Sequence, residues 1–485
     1  MLTQNDWNHR LWKNNTIFWI ELSMNNWGNV ILLCALTASL LCYALRNPSE
    51  GSVKSYSVAN RNVGVFALTA TLVMTEFNTA TLISFSSLGY LSGLKALILP
   101  GVFLIGLLFY ALTVAKKWKA YNGVSVVDYF INRFDKKIGA ISAIFLLTAM
   151  AGFGATYLKS LTFLCANLFP QTSYWVVSAY IVLLTLFMVI RKGLVSIIKV
   201  DAFSFVLVLL AMLLILYKIS GDGFLQDLER GHTVFKTEIL RNEFIFSLIP
   251  LTMFSYILAP WYGQRIFAAK NARVAYVSVI LSALFVFFLY ALGVLISYSV
   301  ALKGVKLEDP QLSFPYAVDA SLTKFFYPLG YTLLFLISST SLTGVWNAMA
   351  NITLEFAPFN GLKNKNILMT LLWAFVTYIL SNALIDNILN KMILANIPVV
   401  ALSFALLAGF YWPRVSITGV YVSIIIGMAS GISSYLFFGE EGCYTYYWAF
   451  IGIPLTFMSG IVASILFPRK ISLSYSSKEV HASSL

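Results

Sequence analysis

The chain has 485 residues, of which 59% are hydrophobic and only 11% charged, far too apolar for a water-soluble protein of this length. Its formal net charge is +13, yet Lys and Arg gather in alternate loops, so the excess reports orientation in a lipid bilayer and not a nucleic-acid partner. Soluble enzyme folds are excluded.

Apolar runs bounded by Gly, Pro and charge predict an all-α polytopic membrane protein with about 13 transmembrane helices of roughly 20 residues each. The expected spans lie near 28–45, 63–91, 96–114, 138–168, 174–190, 195–217 and 244–262, then 275–300, 326–350, 367–384, 388–411, 418–438 and 446–466. The loop carrying Lys116, Lys117, Lys119, Arg133, Lys136 and Lys137 is the most basic, whereas residues 218–243 mix basic residues with Asp222, Asp227, Glu229, Glu238 and Glu243. The positive-inside rule therefore puts the N-terminus outside and the C-terminus, with Arg469, Lys470 and Lys478, inside a plasma (cytoplasmic) membrane. Cys34, Cys42, Cys165 and Cys443 lack CxxC spacing, and His9, His232 and His481 fall in loops or tails. Neither a zinc site nor a disulfide framework is expected. The polar, aromatic N-terminus predicts no cleavable signal.

Two spans are irregular. The second places Thr75, Glu76, Asn78, Thr79 and Thr81 in its middle, and the seventh carries Pro250 and Pro260, which remove backbone donors and break helices. Five spans from 63 to 217 and five from 244 to 411 each open with an irregular one. An odd repeat length inverts the second block, giving an inverted five-plus-five repeat with a midplane site between broken helices. The expected divisions are 1–62 (N-terminal segment, extra helix and cytoplasmic loop), 63–217 (first repeat), 218–243 (outer loop), 244–411 (second repeat) and 412–485 (two extra helices and tail).

A carboxylate at mid-membrane costs several kcal/mol unless paired, ion-bound or protonated, which makes Glu76 the first functional candidate and Asp201 the second. Unwinding at 74–78 would free carbonyls that, with hydroxyls from another helix, suit a hard cation. Ser338, Ser339, Thr340, Ser341 and Thr343 crowd the ninth span and supply such hydroxyls. Lys159 is placed to snorkel toward the outer interface. The glycines of GMASG (427–431) and GFG (152–154) read as packing surfaces.

These residues resemble the sodium:solute symporter family, which includes proline, sugar and sialic acid carriers. The resemblance runs through KSYSVANRNVG, TLVMTEFNTATLISFSSLGYLSG, VSVVDYFINRF, IKVDAFSF, APWYGQRIFAAKNARVA, SSTSLTGVWNAMANITLEF and LLAGFYWPRVSITGVYVSIIIG. It implies a Na+ site made by the carbonyls of Met74, Phe77 and Leu336 and the hydroxyls of Ser339 and Thr340, with Glu355 where relatives carry an acid. Glu76 stands where proline carriers have Asp and sugar carriers Asn, a departure that leaves coupling open between Na+ and H+. A second sodium in some relatives uses an acid like Asp201 and hydroxyls at two positions occupied here by Leu342 and Thr343, so one ligand is missing. The implied activity is Na+-coupled symport of a small polar solute by alternating access, without covalent chemistry. Substrate contacts are expected from Asn78, Thr79 and Thr81 and from Ser255, Tyr256 and Trp261. Proton coupling through Glu76 is the alternative within transport. A carrier-like receptor is disfavoured by a tail of only 17 residues after Pro468, and a channel by the lack of any filter-like repeat.

Overall fold

The computed structural model describes residues 61–468 apart from 122, 124, 167–171, 190–192, 222–234, 236, 323–326, 357–364 and 441–442. Among the described residues the elements are helices, and the β pairing is one isolated parallel bridge between Val63 and Ala269. A backbone surrounded by hydrocarbon must bond to itself, and helices achieve this within each segment.

In chain order α1 is Val65–Glu76, α2 Thr79–Ser92, α3 Ile98–Tyr110, α4 Lys116–Tyr121, α5 Val126–Arg133, α6 Lys136–Ala166, α7 Tyr174–Val189 and α8 Gly193–Ser220. There follow α9 Asn242–Tyr256, α10 Pro260–Ala268, α11 Ala272–Leu302, α12 Ser313–Ser321, α13 Tyr327–Phe356 and α14 Lys365–Ala383. The chain closes with α15 Ile388–Leu394, α16 Ile397–Ala401, α17 Ser403–Tyr411, α18 Ile417–Phe438, α19 Tyr444–Tyr447 and α20 Ile453–Leu466.

Nine described helices are long and apolar enough to cross a membrane, or ten when the α9–α10 pair counts as one span. The expectation near 28–45 lies outside the described residues. The expected spans 63–91 and 96–114 meet where α2 ends and a 3-10 turn at Gly93–Leu97 leads into α3. Gly93 makes that junction with φ +62, a conformation open to a residue without Cβ. Residues 174–186 form a shorter apolar helix. The expected span 388–411 is one of the nine, built from α15, α16 and α17 in succession.

Both expected irregular spans are broken. Phe77 and Asn78 are extended between α1 and α2, and the Asn78 side chain accepts from the Thr81 N–H at 2.9 Å, capping α2. The interruption therefore falls at 77–78, at the end of the stretch expected to unwind. In the seventh span the chain bends by 48° across 257–259, and Pro260 begins α10, where its missing N–H is harmless. Pro250 is accommodated inside α9. The Trp118 indole N–H donates to the freed Ile257 carbonyl at 3.0 Å, satisfying one acceptor of the break.

The helices pack as two groups. In the first, α11 lies along α1, α2 and α3, and α9 packs on α3. In the second, α6 packs on α5, α7, α13 and α14, which also touch one another through α13·α14 and α7·α14. Between them α8 touches α1 and α11 on one side and α13 on the other. The α18 and α20 helices pair beside this body, with Ile425, Leu436, Met458 and Ile465 exposed on an apolar surface suited to lipid. Gly427 fits that role of close packing, since a Cβ there would stand 3.0 Å from the Ala401 Cα.

Candidate site between two broken helices

The α1–α2 break meets α13 through hydroxyls. Ser341 Oγ donates to the Met74 carbonyl at 2.9 Å and lies 3.2 Å from that of Thr75. The Thr79 N–H, an orphan donor at the start of α2, is satisfied by Ser338 Oγ at 2.9 Å. The Thr79 hydroxyl bonds Ser338 again and reaches Ser160 on α6 at 2.7 Å. Free helix ends in a membrane are thus closed by side chains of the second group, and Met74 and the hydroxyl run of α13 are in contact. Ser339 and Thr340 are buried in that run. The Thr340 hydroxyl points back to the Ile337 carbonyl at 3.4 Å and stands beside the Asp201 carboxylate. Thr343 donates to the Thr340 carbonyl at 2.8 Å. Phe77 and Leu336 lie, respectively, at the break and on α13.

Glu76 faces another direction. Its carboxylate accepts from the Tyr256 hydroxyl, at the end of α9. Its backbone carbonyl accepts from Tyr290 on α11 at 2.6 Å and from the Asn78 side-chain amide at 2.9 Å. Rings enclose this corner: Phe77 and Phe85 pack on Tyr290 at 4.9 and 5.3 Å, and Phe103 lies 5.8 Å from both Tyr256 and Tyr290. Gly106 allows Tyr256 to lie against α3, because a Cβ there would come within 2.7 Å of the ring.

Asp201 is not alone. Arg265 on α10 places Nη2 3.6 Å from Asp201 Oδ2, and both side chains are fully buried. Thr71 on α1 joins them, donating to Asp201 at 2.5 Å while accepting from Arg265 Nε at 2.9 Å. Arg265 Nη1 also donates to the Trp261 carbonyl at 3.2 Å. The sequence reading gives Arg265 no role; α10 carries it into the interior, where an unpaired charge would cost several kcal/mol.

The expected substrate residues divide. Asn78 and Thr79 are occupied in holding the break together. Thr81 lies 3.7 Å from the Met392 sulfur. Ser255 bonds the Thr252 carbonyl at 3.3 Å, beside Tyr256. Trp261 packs edge-on to Phe153 at 5.0 Å, and its indole N–H has no hydrogen-bond partner among the described residues. Lys159 sits over the Tyr174 ring at 5.6 Å. Glu355, at the end of α13, accepts from Ser125. Thr71, Ser160, Arg265, Tyr290 and the α13 amide Asn347, whose two polar ends are buried without hydrogen-bond partners among the described residues, are absent from the sequence expectations. A helical-phase search from Thr340 would have reached Asn347, which is two turns further on the same face.

The solved structures similar to this chain include a Na+-coupled sialic acid symporter in a substrate-bound outward-open state, with TM-score 0.76, 14% identity, and coverage of 93% of this chain and 100% of that one. Mhp1, a nucleobase-cation-symport-1 family transporter, is similar in a closed conformation with bromovinylhydantoin bound (TM-score 0.59, 13% identity, 86% and 93% coverage). Its inward-facing conformation gives TM-score 0.52 at 14% identity, over 87% and 96% of the two chains. No curated protein matches the sequence. These likenesses show the fold, and the profile of the sodium:solute symporter family matches residues 56–308, more than half of the sequence. This chain, multi-pass and helical, belongs to the sodium:solute symporter family.

Proposed function

We propose that the chain is a Na+-coupled symporter that carries a small polar solute across the plasma membrane by alternating access. The observation that carries this reading is the junction of the α1–α2 break with α13, where Ser341 and Ser338 meet the Met74 and Thr75 carbonyls and the Thr79 N–H. The carbonyls of Met74, Phe77 and Leu336 and the hydroxyls of Ser339 and Thr340 form an all-oxygen donor set, the chemistry a hard alkali cation prefers over water. Such an ion ties the first packing group to the second. It stabilises one closed arrangement, and the solute and the ion then raise each other's affinity by one shared coupling free energy. In this reading residues 63–217 and 244–411 are inverted repeats, the N-terminus lies outside and the C-terminus inside. Thr343 and Asp201 border the ion site, with Asp201 neutralised by Arg265 in place of a second sodium.

The test is uptake by proteoliposomes. An inward Na+ gradient is expected to drive accumulation, and Ser339→Ala with Thr340→Ala to raise the half-saturating Na+ concentration by about tenfold or more. Transport indifferent to the gradient, or to that double change, refutes the site. A second reading, proton coupling through Glu76, is favoured by one observation: its carboxylate bonds Tyr256 and has no cationic side chain within ion-pair distance among the described residues. A proton gradient driving uptake without Na+ would select it.

A further inference from the structure

We infer that the solute is recognised through a substituted ammonium group, held between the Glu76 carboxylate and the rings around it. This rests on the symport reading and names its substrate class.

Two buried acids lie beside the α1 segment, and they differ in one respect. Asp201 has a cation of the protein's own, Arg265. Among the described residues Glu76 has none; the ion pairs there are Arg241–Glu243, Arg265–Asp201 and those of Lys391 with Asp386 and Glu440. An ionised carboxylate at this depth needs a counter-charge, and here it must arrive from solution.

The surroundings select which cation. The carbonyls of Met74 and Thr75 are turned toward Ser341 on α13, while the Glu76 side chain reaches Tyr256 on α9. Oxygen donors for a bare metal ion thus collect at the α13 contact, and the carboxylate has a phenol and an aromatic wall. Phe103 lies 5.8 Å edge-on to Tyr256, and Tyr290, hydrogen-bonded to the Glu76 carbonyl, lies 5.8 Å edge-on to Phe103. A carboxylate beside a cluster of aromatic rings attracts a diffuse, alkylated cation, whose shed hydration the rings replace. Glu76, Ser255, Tyr256 and Trp261 retain an accessibility of 5%, 9%, 8% and 5%, whereas the neighbouring Phe77 and Tyr290 have 0%. The Trp261 indole N–H, without a partner among the described residues, is a donor for a polar atom elsewhere on the same solute.

The full-length protein in proteoliposomes under an inward Na+ gradient, with choline, proline, glucose and lactate as probes and 22Na+ binding measured in parallel, decides the matter. Choline or proline should be taken up or should compete, glucose and lactate should not, and Glu76→Gln should raise the half-saturating concentration of the ammonium probe on the order of tenfold. Glu76→Asp, retaining the charge, should recover part of that loss and so separates recognition from misfolding. Wild-type protein that binds 22Na+ but responds only to glucose or lactate, or to no probe, overturns the ammonium assignment and leaves symport standing. Monodisperse Glu76→Gln protein in which the sodium titration shifts instead of the choline titration also overturns it. Absence of both 22Na+ binding and Na+-driven uptake refutes the symport reading itself.

Discussion

Arg265 and Asp201 hold each other across helices that are 64 positions apart in sequence, with Nη2 and Oδ2 at 3.6 Å, no exposure of either side chain, and Thr71 bonded to both. The pair ties α10 to α8, and Thr71 adds α1.

Removing one member strands the other in a dry interior. Arg265→Met or Asp201→Asn is therefore expected to lower stability by about 3–5 kcal/mol, and the double change by less than the sum. Thermal melting of the four proteins in detergent measures this, and strict additivity would show that the charges do not act as a pair. Gly344→Ala should mimic the damage without touching either charge, since its Cβ would come 2.9 and 3.0 Å from the two terminal guanidinium nitrogens.

Ser341→Ala removes the hydroxyl that joins α13 to the carbonyls of Met74 and Thr75. Its expected effect is a several-fold increase in half-saturating Na+ with little loss of thermal stability, read by 22Na+ binding. A titration superimposable on wild type would show that this contact is irrelevant to the ion.

Tyr290→Phe deletes the donor to the Glu76 carbonyl while retaining the ring that packs on Phe77, Phe85 and Phe103. Leaving that acceptor with the Asn78 amide alone should cost about 1–2 kcal/mol. Melting temperature reports it, and an unchanged melt would mean that the amide and the loop suffice.

Movement can be tested with introduced cysteines. The pairing of Val63 with Ala269 joins the adjacent half-helices α1 and α10, whereas the contact of Thr79 with Ser338 joins the two groups. If the groups rock against each other, a Val63→Cys/Ala269→Cys bridge should leave most uptake intact, while Thr79→Cys/Ser338→Cys should abolish it until a reductant is added. Loss of uptake in the first pair would show that the two half-helices must part.

Much of this was legible in the residues. The run Thr75–Thr81 announces a break because polar side chains at mid-membrane compete for the backbone, and the structure puts Asn78 there as a cap. Pro260 marks the second break for an equally local reason, as the first residue of α10. Pro250 shows the limit of the same rule, since α9 continues through it. What the sequence hides is pairing at long range. Arg265 lies at the end of an apolar run with no partner near it in sequence; only its proximity to Asp201 reveals an interior residue. Tyr290 and Ser160 look like ordinary members of apolar helices until the fold turns them toward the break. Hydropathy separates 63–91 from 96–114 at Ser92, Gly93 and Lys95, and the structure places a 3-10 turn at that gap.

The Val63–Ala269 bridge is made by main-chain atoms: the Val63 N–H donates to the Ala268 carbonyl at 3.1 Å and the Lys270 N–H to the Val63 carbonyl at 3.0 Å. Side-chain replacement can leave such a bracket unaltered, so natural variation at these positions has little power to unlatch it. Two half-helices some 200 residues apart are consequently bolted at their tips, and a compound wedged beneath either one would jam both.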